Sequence, residues 1–122
     1  MLADPVTVAA AAPTPSLVLA VVRSDGYGSE RVDTGANGYA VTISHSKPKG
    51  GGDKHYVQMT QTLNATNPYT GLLQKQVASV SLTITRPPFG FTDAALVALA
   101  KALTDFRDDS EVTTARLIQF QS

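Results

Sequence analysis

Cysteine is absent from the 122 residues, which removes disulfides, cysteine-zinc sites, iron–sulfur clusters and thiol nucleophiles. Histidine is scarce, with His45 and His55 alone. A zinc site needs at least one further ligand, so both are read as packed or hydrogen-bonded side chains, and no metal or cofactor is expected. Asp105, Asp108 and Asp109 match no calcium-loop spacing and are read as helix-end caps. Catalytic signatures are also missing. There is no G-x-S-x-G and no H-E-x-x-H, and "KGGGDK" (residues 49–54) lacks the Gly-Lys-Ser/Thr ending that holds phosphate and magnesium. An enzyme is therefore not expected. Long hydrophobic runs are lacking too. The opening "MLADPVTVAAAAPTPSLVLAVV" has no basic start, carries Asp4 and is broken by Pro5, Pro13 and Pro15, so it reads as mature structure rather than a leader, with no membrane partner.

What remains is the composition of a folded domain: 43% hydrophobic and 16% charged residues, neither disordered nor membrane-spanning. The length suits one domain, 1–122. Formal net charge is zero, but it is unevenly spread. Residues 34–92 hold Lys47, Lys49, Lys54, Lys75 and Arg86 against Asp53 alone, whereas 93–122 are net acidic. Such asymmetry is only a hint.

Proline and glycine cut the chain into strand-length pieces as far as residue 86. Residues 5–11 and 16–24 predict an N-terminal hairpin within 1–24. "SDGYGS" carries an Asp-Gly turn signal leading into a strand near Glu30–Thr34, and "GANG" is a second turn. "YAVTISHS" (39–46), about 53–64 and 75–85 then alternate with period two. Strands end at "RPPFGF", where successive prolines forbid ladder donors. From Thr92, a candidate N-cap, Leu96, Leu99, Leu103 and Phe106 form a helical stripe, and Ser110 with Glu111 predicts the start of a second helix to about Phe120.

The expectation is an α+β domain: an N-terminal β-hairpin, an antiparallel sheet of about five strands within 28–86, and two C-terminal helices within 92–120. A helix of about fifteen residues, about 22 Å long and 10 Å wide, covers about half the apolar face of a sheet about 20 Å across. Each large apolar side chain left open forfeits about 1.5–3 kcal/mol. A second subunit is therefore expected to complete the cover, with Leu96, Leu99, Leu103 and Phe106 at the dimer interface.

The opposite strand faces carry Thr42, Ser44, Ser46, Lys54, Tyr56, Gln58, Thr60, Ser79, Ser81 and Thr83. A plain solvated sheet face has this pattern. Hydroxyls and amides for base edges, a ring for stacking and lysines for phosphate are also what looped RNA asks of a sheet.

With "SDGYGSERV", "YAVTISHS", "KHYVQMTQT", "SVSLTITRPPFG" and "FTDAALVALAKALTDFRDDSEVTTARLI" in this order, nearly the whole chain resembles the levivirus-like coat proteins of single-stranded RNA bacteriophages. That resemblance implies an intertwined homodimer with helices over the partner's sheet. It also implies an icosahedral homo-oligomeric shell around the viral RNA genome, assembled in the bacterial host cytoplasm, and binding of an RNA stem-loop as translational operator and packaging signal. By motif, Thr42, Ser44 and Ser46 match the first RNA-facing strand, Lys54, Tyr56 and Gln58 the second, and Val77, Ser79 and Ser81 the last, with Lys47 on a basic rim. Better-known members place a stacking tyrosine where this chain has Val77, so either Tyr56 substitutes or the operator is read differently. "ATNPYTGLL" (65–73), with Asn67, Pro68, Tyr69, Thr70 and Gly71, matches the family's assembly loop at the symmetry axes. Pro and Gly there suit a switchable turn. A non-assembling, dimeric, sheet-based RNA-binding regulator is the alternative.

Overall fold

The computed structural model describes residues 2, 4–9, 15–35 and 38–120. Six strands, β1 (Val6–Val8), β2 (Leu17–Asp25), β3 (Gly28–Asp33), β4 (Tyr39–Ser46), β5 (Asp53–Thr66) and β6 (Leu73–Arg86), precede helices α1 (Asp93–Asp108) and α2 (Thr114–Ile118). The strands form one antiparallel meander in the order β1-β2-β3-β4-β5-β6. Residues 28–86 supply four strands rather than about five, and the N-terminal hairpin brings the sheet to six because it is not a separate flap. Its second strand pairs with β3, joining Leu19 to Asp33 and Asp25 to Gly28. The expected run from 5 to 11 shortens to three residues; Ala10 to Thr14 lie outside the described residues, as do Ala36 and Asn37 of the "GANG" turn.

The "SDGYGS" turn closes on Gly26 and Tyr27, one residue later than the Asp-Gly signal suggests. Asp25 remains in the strand, where its Oδ1 accepts the Tyr27 N–H at 2.8 Å. Gly28 is required opposite β4, since a Cβ there would overlap the Ile43 carbonyl oxygen. β5 and β6 pair over their full lengths, from Asp53 with Arg86 to Thr66 with Leu73. The loop between them is therefore only 67–72, shorter than the 65–73 read from the sequence.

Alternation sends Leu17, Leu19 and Val41 to one face, where they form the buried cluster with Val6, Tyr39, Ile43, Val57 and Met59 packed around it. Arg31 and Asp33 are buried on this face as well, and Asp33 Oδ1 accepts the Val18 N–H at 3.1 Å. After β6, Pro87, Pro88 and Gly90 (φ 100°) turn the chain into α1. Thr92 caps that helix as expected, its hydroxyl accepting the Ala95 N–H at 3.2 Å, with Asp93 in the first turn and Arg107 in the last. These charges complement the helix dipole.

The second helix departs from expectation. It begins at Thr114, not at Ser110, and its N-cap is Thr113 at φ 44°, whose hydroxyl accepts the Arg116 N–H. Asp109 explains the delay: it caps the end of α1, its carbonyl accepts from Val112 and Thr113, and its side chain accepts the Glu111 N–H at 2.8 Å. Residues 110–112 are consumed in that turn.

Cover is the missing element. Leu96 alone of the helical stripe is buried, at 7% exposure, while Leu99, Leu103 and Phe106 remain 60%, 55% and 59% exposed. Across from them, Val80 and Leu82 of β6 are also open. The chain presents 9239 Å² of accessible surface. A compact monomer of its 12.8 kDa mass presents about 6,300 Å².

Candidate nucleic-acid interface

The register decides which polar side chains share a surface. Thr42 pairs with Gln58 and Gln58 with Ser81; Ser44 pairs with Tyr56 and Tyr56 with Thr83; Ser46 pairs with Lys54 and Lys54 with Thr85. Thr60 and Ser79 form the adjoining row, followed by Thr62 with Val77 and Asn64 with Lys75. Because side chains alternate with period two, these rows lie on the face opposite the Leu17, Leu19 and Val41 cluster. Neighbouring strands stand about 4.8 Å apart, so three strands give a polar field about 10 Å across.

Within it Ser44, Ser46, Lys54, Val77, Ser79 and Ser81 are exposed, whereas Thr42, Tyr56 and Gln58 are half-buried among their neighbours. Lys47 stands just past the end of β4, in the 47–52 connection with Lys49. The residues named from the sequence are thus brought together. Lys54 and Lys75 are the lysines on the paired rows, and Val77 gives the last strand an open apolar position rather than a ring.

Arg23 and Tyr27 join this field and were not expected there. Counting alternately along β2 from Leu17 puts Arg23 on the core face. A bulge intervenes between Val21 and Arg23, after which Arg23 pairs with Glu30 and Glu30 with Thr42. One extra residue reverses the facing of everything beyond it. Arg23 and Glu30 form an ion pair at 3.3 Å. Tyr27, 62% exposed at the turn, lines with Arg23, Asp25, Gly28, Thr42 and Ser44 a shallow cavity of about 170 Å³. The signal available in the sequence was the run "AVVRSD", whose two successive valines allow a shift of phase but do not locate it.

The connection 67–72 is built on Asn67. Its Oδ1 accepts the N–H groups of Tyr69 (2.8 Å) and Thr70 (3.4 Å), its carbonyl accepts the Gly71 N–H, and its Nδ2 donates to Gln74 Oε1 at 3.1 Å. Gly71 sits at φ 71° and Tyr69 projects with 95% exposure. Nearly every bond in the loop is local, so its tip is set by its own turn and not by packing on the sheet.

On the core face, His45 and His55 are paired across β4 and β5 and their Nδ1 atoms lie 2.8 Å apart. They are hydrogen-bonded to one another, as the scarcity of ligands suggested. Among the described residues no group of three or more histidine, aspartate and glutamate side chains could hold a metal ion. No described helix is long and apolar enough to cross a membrane.

A continuous antiparallel meander with an open polar face, followed by C-terminal helices, is the fold of the coat proteins of single-stranded RNA phages. The chain belongs to the phage phiCb5 coat protein family, whose model matches residues 3–87. Solved structures agree on the fold. The virus-like particle of bacteriophage AVE019 superposes with a TM-score of 0.76 at 15% identity, covering 90% of both chains. That of Beihai levi-like virus 21 gives 0.62 at 8% identity over 91% of this chain and 90% of the other. An unassembled bacteriophage coat protein described as an RNA-binding dimer gives 0.53 at 20% identity, covering 88% and 85%. A search of curated protein sequences finds no match. The family assignment places the chain among phage coat proteins, which are structural.

Proposed function

We propose that this chain is a major capsid protein that dimerises, assembles into an icosahedral shell around an RNA genome in the host cytoplasm, and binds an RNA hairpin on its polar sheet face. The observation that carries the reading is the uncovered surface. The chain exposes about 2,900 Å² beyond what a compact monomer of this mass does, and Leu99, Leu103 and Phe106 of α1 and Val80 of β6 each stay more than half exposed. Obligate dimers bury about 2,000–5,000 Å² in total, so a second copy is a partner of the right size. Leu99, Leu103 and Phe106 would lie over the partner's sheet, while Leu96 is already buried within its own chain. β6, with one side unpaired, would extend the sheet across the dimer.

With helices on one face, the other face is left for RNA, and the shell would turn it inward. Thr42, Ser44, Ser46, Tyr56, Gln58, Ser79 and Ser81 would meet bases and sugars, and Lys47 and Lys54 phosphates. The 67–72 loop would make the contacts between dimers. Support comes from the family, from the fold shared with virus-like particles, and from the loop's projecting, self-contained turn.

Electron microscopy of the expressed protein tests the shell: closed particles are expected, and discrete dimers under every assembly condition would refute it. Replacing 67–72 by a short Gly-containing turn should abolish particles and spare RNA binding. Particles of normal size from that protein would remove the loop from assembly.

A further inference from the structure

The core face carries a chain of polar contacts that neither the shell nor the RNA face uses. It begins at His45 Nδ1, 2.8 Å from His55 Nδ1. His55 Nε2 stands 3.1 Å from Asp53 Oδ1, the same oxygen lies 3.7 Å from Arg86 Nε, and Arg86 continues to Asp93 in the first turn of α1. The end of β4, the start of β5, the end of β6 and the N-terminus of α1 are thereby linked. The two rings meet edge to face, with centroids 5.0 Å apart.

The contacts limit how many protons the pair can hold. His55 Nε2 faces a carboxylate and so carries hydrogen. With both rings neutral, His45 Nδ1–H donates to the bare His55 Nδ1. With one proton added, His55 Nδ1–H donates to the bare His45 Nδ1, and the charged ring rests on Asp53. With two, both Nδ1 atoms carry hydrogen and point at each other; the bond is lost and like charges are left in contact.

We propose that His45 and His55 form an acid-sensitive latch at the root of the 47–52 connection: it holds with zero or one added proton and opens on the second. Histidine is the side chain that ordinarily changes charge between pH 5 and 8. The surroundings fit this limit. Asp53 faces His55 but is shared with Arg86, and Asp93 is engaged by the same guanidinium. On the other side, Arg31 and Asp25 line with His45 a cavity of about 320 Å³, and the backbone N–H of His45 donates to the Tyr27 carbonyl. No carboxylate contacts His45 within ion-pair distance among the described residues. A state that binds the second proton is the open one, so lowering pH favours opening. The strands then lose a cross-strand tie beside the elbow that aims α1, independently of whether the protein forms shells.

The test compares the full-length protein with His45→Gln. Gln removes the competing ring and leaves His55 free to be charged against Asp53. At pH 7.5 the wild type should unfold at the higher temperature; by pH 5.0 that advantage should vanish or invert. An advantage that is unchanged across this range overturns the latch. Should the variant not fold, nitrogen-15 spectra of the imidazoles in the wild type decide the matter. The Nδ1–Nδ1 bond should survive the first proton the pair takes up and be lost with the second. Coincident uptake by both rings overturns the proposal.

Discussion

Truncating Leu103 to alanine tests the uncovered surface most directly. The change removes the isopropyl group beyond Cβ, about 2.4 kcal/mol of transfer free energy when that group is fully buried. In the single chain Leu103 is 55% exposed, and that fraction is what a partner can cover. The expected loss is about 1.3 kcal/mol per site, and about 2.6 kcal/mol per dimer because symmetry repeats it. Dimer dissociation should rise about 80-fold. Shell contacts would mask this, so the measurement belongs in the protein with the shortened 67–72 loop. Unfolding of a dimer to separated chains gives a midpoint that climbs with protein concentration. The parent should show that climb, and Leu103→Ala should unfold lower at every concentration. Lys101→Ala supplies the control, because its ion pair with Asp105 is a solvent-exposed i, i+4 contact worth a few tenths of a kcal/mol. A concentration-independent midpoint, the same in parent and Leu103→Ala, would refute the account of α1 as an interface.

Lys54→Ala should weaken binding to all RNA hairpins and lower the slope of affinity against salt by about one unit, whereas Thr42→Ala should change discrimination between loops; titrations at several salt concentrations distinguish the two, and equal effects on every RNA would discard the proposed face. Gly52→Ala should lower stability by about 1–3 kcal/mol, since Gly52 sits at φ 75° and a Cβ there would overlap the Arg86 carbonyl oxygen; a neutral result in thermal unfolding would contradict the close approach at the sheet's end. Thr92→Ala should cost about 1 kcal/mol by leaving the Ala95 N–H without its cap, with Thr92→Ser restoring most of it, as read by chemical denaturation.

Strand positions were legible where alternation runs unbroken. "YAVTISHS" and "SVSLTIT" fix their facing by composition, and the double proline after Arg86 fixes where the sheet must stop. The Thr92 cap and the leucine stripe placed α1 for equally local reasons. What escaped depends on contacts between segments. The bulge after Val21 is stabilised by pairing to β3, and nothing in "AVVRSD" says which residue is extra. Arg23 was for that reason lost from the polar field. The start of α2 was missed because Asp109, Ser110 and Glu111 are good helix-starting residues used instead in the turn that ends α1. Leu96 parted company with the rest of its stripe because Leu99 and Leu103 face β6 across an open cavity of about 260 Å³, whereas Leu96 is buried at its edge.

The strict neighbour-to-neighbour order of the sheet has a consequence for biosynthesis. Every strand pairs with the one made just before it, so no segment must wait for a distant partner, and low sequence separation between contacts favours rapid folding. During translation the sheet can lengthen by one strand at a time. The growing edge, the kind of surface that templates aggregation, is covered by each new strand in turn until β6 emerges. That last edge, fourteen residues long, is followed at once by the helices, so the sticky surface appears only when the rest of the chain is ready to meet a second copy.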